Sequence, residues 1–143
     1  ELGQYGIIHK AHYKSFDTLL LHSNRRKAME PRTTILEVKM AGDIVVVIFK
    51  DKKIYEIGNQ LFVIFIKSKK KILIDFNNVD YVFEDALGEL ATFNRCVKES
   101  GGQVVFCNIN SQTLFYERLK TTRLDEYFSI VKDKTEGLCV LSS

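Results

Sequence analysis

The sequence predicts an α/β domain with a mostly parallel sheet, and three observations support this fold class. The chain has 143 residues, 45% of them hydrophobic and 27% charged, which is typical of one globular domain. After residue 33, short β-branched segments alternate with segments of helical periodicity, the order expected of strands and helices in an α/β layer fold. A tight turn at residues 41–43 separates the first two strand-like segments, so these two should pair antiparallel.

Each element after residue 33 follows from a local pattern of apolar residues. Strands are indicated where apolar and β-branched residues alternate or run together, and the predicted strands cover residues 34–40, 44–49, 72–76, 103–107 and 127–131. Helices are indicated by apolar residues spaced at i, i+4 and i+7, and the predicted helices cover residues 56–68, 84–99, 111–121 and 134–141. The clearest helix is 84–99, because Gly101 and Gly102 directly after it are typical of a helix C-terminus.

Residues 1–32 differ in charge from the remainder of the chain. They contain six Lys or Arg residues against three acidic ones, and all three histidines. Pro31, the only proline, disfavours helix at the residue before it. We therefore treat 1–32 as an N-terminal extension, of which residues 1–28 are either vector-encoded or the tail of a longer protein. The domain proper is predicted to span 33–143, whose fifteen basic and fifteen acidic residues argue against nucleic-acid binding.

Composition and motifs also argue against several other classes of protein. The longest apolar runs, 44–49 and 61–66, are far shorter than the ~20 residues of a membrane helix, and no signal peptide is readable. The sequence thus predicts a cytoplasmic protein that does not bind membranes. Three cysteines without paired spacing suggest neither a disulfide framework nor a zinc site. No Gly-rich phosphate loop, G-x-S-x-G motif or histidine base occurs in 33–143, so we predict no enzyme activity, no metal and no cofactor.

Three segments of the predicted domain resemble one family. Residues 74–88 (IDFNNVDYVFEDALG) are similar to the signature of STAS domains (sulphate transporter and anti-sigma factor antagonist), in which a buried L-D-L-S-x-V strand precedes D-S-S-G-L-G at a helix start. Residues 97–104 (VKESGGQV) resemble the family's helix-to-strand joint, and residues 124–128 (LDEYF) resemble its L-D-x-L-F segment. The resemblance covers about residues 33–141. It implies a STAS-like mixed central β-sheet with helices packed on one face.

The resemblance also implies a function as a non-catalytic interaction module of bacterial regulation. Family members that act as anti-sigma factor antagonists are phosphorylated on the second serine of D-S-S-G by a partner that is both kinase and anti-sigma factor. Here Phe83 stands at the Asp position, Glu84 at the first Ser, Asp85 at the acceptor Ser and Ala86 at the Gly. No serine or threonine lies between Asn78 and Glu89, so serine phosphorylation at this site is not available to the chain.

Asp85, the phosphoacceptor-equivalent residue, has three interpretations. Acidic residues in a first helical turn favour the helix dipole and accept hydrogen bonds from free N–H groups. Alternatively, the Asp85 carboxylate mimics a phosphoserine, although with about one charge against −1.5 to −2. Aspartyl phosphorylation is the third. The resemblance to STAS antagonists predicts a partner-binding surface at the start and outer face of helix 84–99, formed by Phe83, Glu84, Asp85, Glu89 and Thr92.

The implied partner is an anti-sigma factor of the serine-kinase type. A second hypothesis is a degenerate STAS scaffold that assembles with itself, as a homodimer, or with other STAS proteins. A third, weaker one is a regulatory domain of a transporter, with residues 1–28 as its linker. A phosphotransfer receiver domain is disfavoured, because Asp75 lies inside a strand and the first strands end without paired acids.

Overall fold

The computed structural model describes residues 34–67 and 70–143. The predicted extension at 1–32 therefore lies outside the described residues, and the domain boundary near 33 stays a prediction. In chain order the elements are β1 (Leu36–Ala41), β2 (Ile44–Phe49), β3 (Lys53–Ile54), α1 (Gly58–Lys67), β4 (Lys71–Asp75), β5 (Tyr81–Val82), α2 (Glu84–Glu99), β6 (Gln103–Cys107), α3 (Leu114–Thr121), β7 (Ser129–Ile130) and α4 (Lys134–Ser142).

The central sheet has five strands in the order β1-β2-β4-β6-β7. The β1–β2 pair is antiparallel, as the tight turn predicts, and Gly42 at this turn has a positive φ of 66°, a conformation that glycine adopts without steric cost. The other neighbours, β2–β4, β4–β6 and β6–β7, are parallel. The predicted mixed α/β sheet is thus confirmed.

Residues of opposite parity on the strands face two separate cores. Val45, Val47 and Ile74 face the larger core, which holds the buried faces of α1, α2 and α3. Val46 and Leu73 face the other side, where α4 contributes Leu141. The expectation of helices on one face holds for α1, α2 and α3 but is wrong for α4.

The helix α4 lies on the opposite face at very short range from the sheet. A Cβ added to Gly137 would lie 2.5 Å from Cδ1 of Leu73 on β4. Glycine thus allows α4 to pack closely over the second core, and a larger residue would require the Leu73 side chain to shift. The local pattern of α4 did not reveal this, because its apolar residues are few and the face they cover depends on the path of the preceding loop.

The sequence patterns missed a small second sheet, formed by β3 and β5. These two strands pair parallel through Lys53 opposite Tyr81 and Ile54 opposite Val82. Two residues are too few to show a period of two, so no pattern could predict the pairing. Its effect is to fix the chain just before α2: Phe83 N donates to the Ile54 carbonyl at 2.8 Å.

Candidate functional site

A groove lies where β5, the start of α2 and the start of α3 meet. We call it the α2 groove, and its lining residues are Lys53, Asp80, Tyr81, Phe83, Asn110, Gln112, Thr113 and Leu114. It combines aromatic and apolar surface with one positive and one negative side chain. Such a mixture of apolar area and a few polar groups is what protein recognition surfaces share.

Phe83 is positioned by aromatic neighbours on both sides. Its ring stacks on the Tyr55 ring, with centroids 4.3 Å apart, and forms a T-shaped pair with the Tyr81 ring, with centroids 4.8 Å apart. The Tyr81 hydroxyl in turn accepts a hydrogen bond from Arg118 Nη1 on α3, at 3.4 Å. Phe83 is consequently half-buried, with one part of its ring fixed in the cluster and the remainder available to the groove.

The backbone around Phe83 sets the start of α2. Phe83 is the N-cap residue in extended conformation (φ −70°, ψ 161°) and supplies no side-chain cap. Glu84 and Asp85 occupy the first turn, where carboxylates interact favourably with the helix dipole. Glu84 is exposed and Asp85 is half-buried, so Glu84 faces solvent beside the groove.

The opposite wall of the groove comes from the loop that follows β6. Thr113 caps α3, its Oγ1 accepting from Tyr116 N at 3.2 Å, and the same hydroxyl donates to the Asn110 carbonyl at 2.7 Å. Phe115 N donates to the Asp80 carbonyl at 3.1 Å, which joins this loop to β5. Leu114 at the tip is 64% exposed, a large apolar side chain presented to solvent.

The five predicted partner-binding residues differ in their exposure. Phe83 lines the groove and Glu84 lies beside it, while Asp85 and Thr92 are half-buried. Glu89 is only 2% exposed. The prediction that Glu89 lies on the outer face of the helix is wrong.

Glu89 instead holds the start of another helix. Its Oε1 accepts a hydrogen bond from Ile57 N at 2.7 Å, next to the first residue of α1, whose own first turn contains no acidic residue. Gly58 leaves space for the carboxylate, since an added Cβ would lie 2.9 Å from Glu89 Oε2. The carboxylate therefore accepts a hydrogen bond from the N–H that immediately precedes α1, and its role is internal.

Of the lining residues, sequence reasoning found only Phe83. It missed Lys53, Asp80 and Tyr81, and it missed the opposite wall, formed by Asn110, Gln112, Thr113 and Leu114. A signal for the opposite wall does exist. The run 108–113 is polar except for Ile109 and directly follows the buried strand β6. The carboxyl ends of parallel strands lie at one edge of a sheet. The spatial approach of this run to Phe83 requires the β3–β5 pairing, which the sequence did not show.

The buried Cys107 thiol is unsuited to nucleophilic chemistry. Burial, reinforced by the charges of Asp75 and Asp133, raises the pKa of the Cys107 thiol to about 12, so it is protonated at neutral pH and a poor nucleophile. Across residues 34–67 and 70–143, no three His, Cys, Asp or Glu side chains are grouped to hold a metal ion. The helices of this region are also too short or too polar to cross a bilayer.

Solved structures with the same architecture include proteins described as anti-sigma factor antagonists and a STAS domain protein. A Thermotoga maritima protein described as an anti-sigma factor antagonist matches with a TM-score of 0.61 and 22% identity, over 76% of this chain and 95% of its own. A Planctomyces limnophilus STAS domain protein gives 0.64 and 19%, over 76% and 98%. The Bacillus cell fate determinant SpoIIAA, in its phosphorylated form, gives 0.56 and 12%, over 76% and 100%.

These likenesses establish the fold. No protein-family model matches the sequence, and no curated protein matches it. The chain has the STAS fold, that of anti-sigma factor antagonists, as the motifs at 74–88, 97–104 and 124–128 predicted.

Proposed function

We propose that the chain is a non-catalytic, cytoplasmic interaction module that binds an anti-sigma factor of the serine-kinase type, without being switched by serine phosphorylation. The observation that carries the proposal is the α2 groove, which lies at the helix start that carries the phosphoacceptor serine in STAS antagonists. Phe83 and Leu114 supply the apolar contacts, and buried aromatic side chains are frequent anchors of protein interfaces. Lys53 and Asp80 supply charged contacts at the rim.

Asp85 distinguishes this module from a phosphorylated antagonist. SpoIIAA has been solved in both its unphosphorylated and its phosphorylated form, whereas this chain has a permanent carboxylate at the equivalent position. The simplest role of Asp85 is to stabilise the first turn of α2. The alternative is a phosphoserine mimic, which would hold the protein in the state that does not release the anti-sigma factor.

The first experiment is capture with the full chain as bait from a lysate of its own organism, with identification by mass spectrometry. Recovery of a kinase-type anti-sigma factor supports the proposal.

The purified pair then allows a quantitative test by calorimetry. Phe83→Ala should weaken binding about tenfold or more, the usual loss at an interface anchor. Val140→Ala is the matched control, because Val140 is 37% exposed on α4 and remote in sequence from the groove; it should leave the affinity unchanged.

The variant Asp85→Ser tests whether the Asp85 carboxylate acts as a phosphoserine mimic. If Asp85 imitates a phosphoserine, the serine variant should bind the anti-sigma factor more tightly, or be phosphorylated by it in the presence of ATP. If the unchanged chain and the variant bind the anti-sigma factor with identical affinity and no phosphate is transferred, Asp85 only stabilises the helix start. Recovery of only the chain itself or other STAS proteins in the capture experiment would instead favour the scaffold hypothesis.

A further inference from the structure

Among residues 34–67 and 70–143, nothing pairs with the outer edge of β1. Within the described residues β1 is the end strand of the sheet, with β2 as its only neighbour there. The Ile35 carbonyl accepts from Lys50 N, at 2.9 Å, so residues 35, 37, 39 and 41 bond towards β2. Because hydrogen bonding alternates along an antiparallel pair, the N–H and C=O groups of Leu36, Val38 and Met40 point away from the sheet.

Two apolar side chains of β1 are exposed. Val38 is 39% and Met40 63% exposed, on the same face as the larger core. Natural proteins commonly protect edge strands by shortness, proline, bulges or charged side chains, and of these β1 has the charged side chains Glu37 and Lys39. β1 has six residues, pairs with β2 over its whole length and contains no proline.

The charges of β1 are placed symmetrically about Val38. Glu37 precedes it and Lys39 follows it, and both project to the face opposite the larger core. The pKa of the Glu37 carboxyl is lowered, chiefly by its hydrogen bond with Lys50 and also by Lys39. Glu37 is therefore ionised at neutral pH and carries a full negative charge beside the positive charge of Lys39.

We propose that β1 pairs antiparallel with β1 of a second copy of the chain, about a two-fold axis at Val38. Val38 then lies opposite Val38, Leu36 opposite Met40 and Glu37 opposite Lys39 of the second copy. Every outward N–H and C=O of Leu36, Val38 and Met40 gains a partner, and the two sheets form one continuous sheet. This interface goes beyond the proposed function, since none of the residues that line the α2 groove belongs to β1.

Charge selects this register over its neighbours. Hydrogen bonding allows only registers in which outward-facing residues meet outward-facing residues. An axis at Glu37 would place two glutamates opposite each other, and an axis at Lys39 would do so for two lysines. Like charges directly opposite on paired strands are destabilising, whereas opposite charges are favourable. The axis at Val38 also pairs the largest number of outward groups.

The primary test is sedimentation equilibrium of the full chain and two charge-reversal variants. The unchanged chain should show a concentration-dependent dimer. Glu37→Lys and Lys39→Glu each place like charges opposite one another twice, so each alone should weaken dimerisation about tenfold. An equimolar mixture of the two variants restores opposite charges at every pair and should form a heterodimer about as tight as the original homodimer.

Disulfide trapping checks the register independently. In a Cys139→Ser background, which removes the exposed native thiol, Val38→Cys should cross-link two copies on mild oxidation. Directly opposite Cα atoms of a hydrogen-bonded pair are about 5.5 Å apart, within disulfide range. Met40→Cys is the matched control. It is more exposed, but in this register it is displaced from its own counterpart by four residues, about 13 Å, and should cross-link poorly.

Four results would overturn the proposal. The first is a chain that stays monomeric up to its highest soluble concentration, and the second is a dimer unaffected by either charge reversal. The third is Met40→Cys cross-linking as readily as Val38→Cys. A dimer that appears only after deletion of residues 1–33 would likewise overturn it for the full chain, because the chain itself would then occupy the edge. The α2 groove proposal is tested separately, by measuring the affinity of the chain for the anti-sigma factor, so the two proposals can fail independently.

Discussion

Asp85 and Glu89 are two acidic residues one turn apart on the same helix, yet their surroundings differ completely. Asp85 is half-buried in the first turn of α2 beside the groove, while Glu89 is 2% exposed and bonds Ile57 N at 2.7 Å. The difference arises because α1 begins against α2 at the level of Glu89, where its free N–H groups need an acceptor. An acidic residue on an amphipathic helix is therefore a surface residue only if no other helix starts beside it.

The largest effect should come from removing the internal carboxylate. Glu89→Ala leaves the Ile57 N–H buried without its partner, and an unsatisfied buried donor costs about 1–3 kcal/mol, so we expect a loss of roughly 2 kcal/mol in the free energy of unfolding. Urea denaturation followed by circular dichroism measures it. Glu84→Ala on the exposed part of the same helix is the control, with an expected change below about 0.5 kcal/mol. Equal losses for the two variants would show that Glu89 has no special structural role.

The glycines next to these acids should respond in opposite directions. In Gly58→Ala the new Cβ would meet Glu89 Oε2 at 2.9 Å, so the carboxylate must move and the variant should lose about 1 kcal/mol. Gly88 lies inside α2 with nothing within 4 Å of an added Cβ. Gly88→Ala should therefore gain about 0.5–1 kcal/mol from helix propensity.

The combined variant Gly58→Ala/Glu89→Ala sharpens the glycine test. Alanine at position 89 removes the atoms that the new Cβ would meet, so the two losses should not add, and a double-mutant cycle measures the coupling. Fully additive losses in the free energy of unfolding would show that Gly58 and the Glu89 carboxylate do not interact. They would contradict the view that glycine is present to admit Glu89.

The smallest effect is expected at the start of the helix. Asp85→Asn removes a negative charge from the first turn of α2 and should cost about 0.3–1 kcal/mol at low ionic strength, with a smaller loss at high salt. Glu99→Gln removes a negative charge from the other end of the same helix, where the dipole is reversed, and should be neutral or slightly stabilising. Salt-independent losses for Asp85→Asn would show that the side chain acts by contact rather than through the dipole.

Local patterns were sufficient for the main elements of the fold. The predicted helix at 84–99 and the predicted strands at 44–49 and 103–107 agree with α2, β2 and β6 residue for residue. These segments are long or strongly apolar, so periodicity and β-branched composition identify them without tertiary information. The motif at 74–88 likewise placed Phe83, Glu84 and Asp85 at the start of a helix after a buried strand.

Only the tertiary structure decided which surface each element presents. It placed α4 on the opposite face of the sheet and paired β3 with β5 to hold Phe83. It also brought Asn110, Gln112, Thr113 and Leu114 to the opposite wall of the groove. It also placed Glu89 inside the molecule. These features depend on contacts between residues far apart in sequence, and a local period of 2 or 3.6 residues records only which side of an element is apolar. What covers that side, and which polar atoms need a partner there, is fixed when the elements pack.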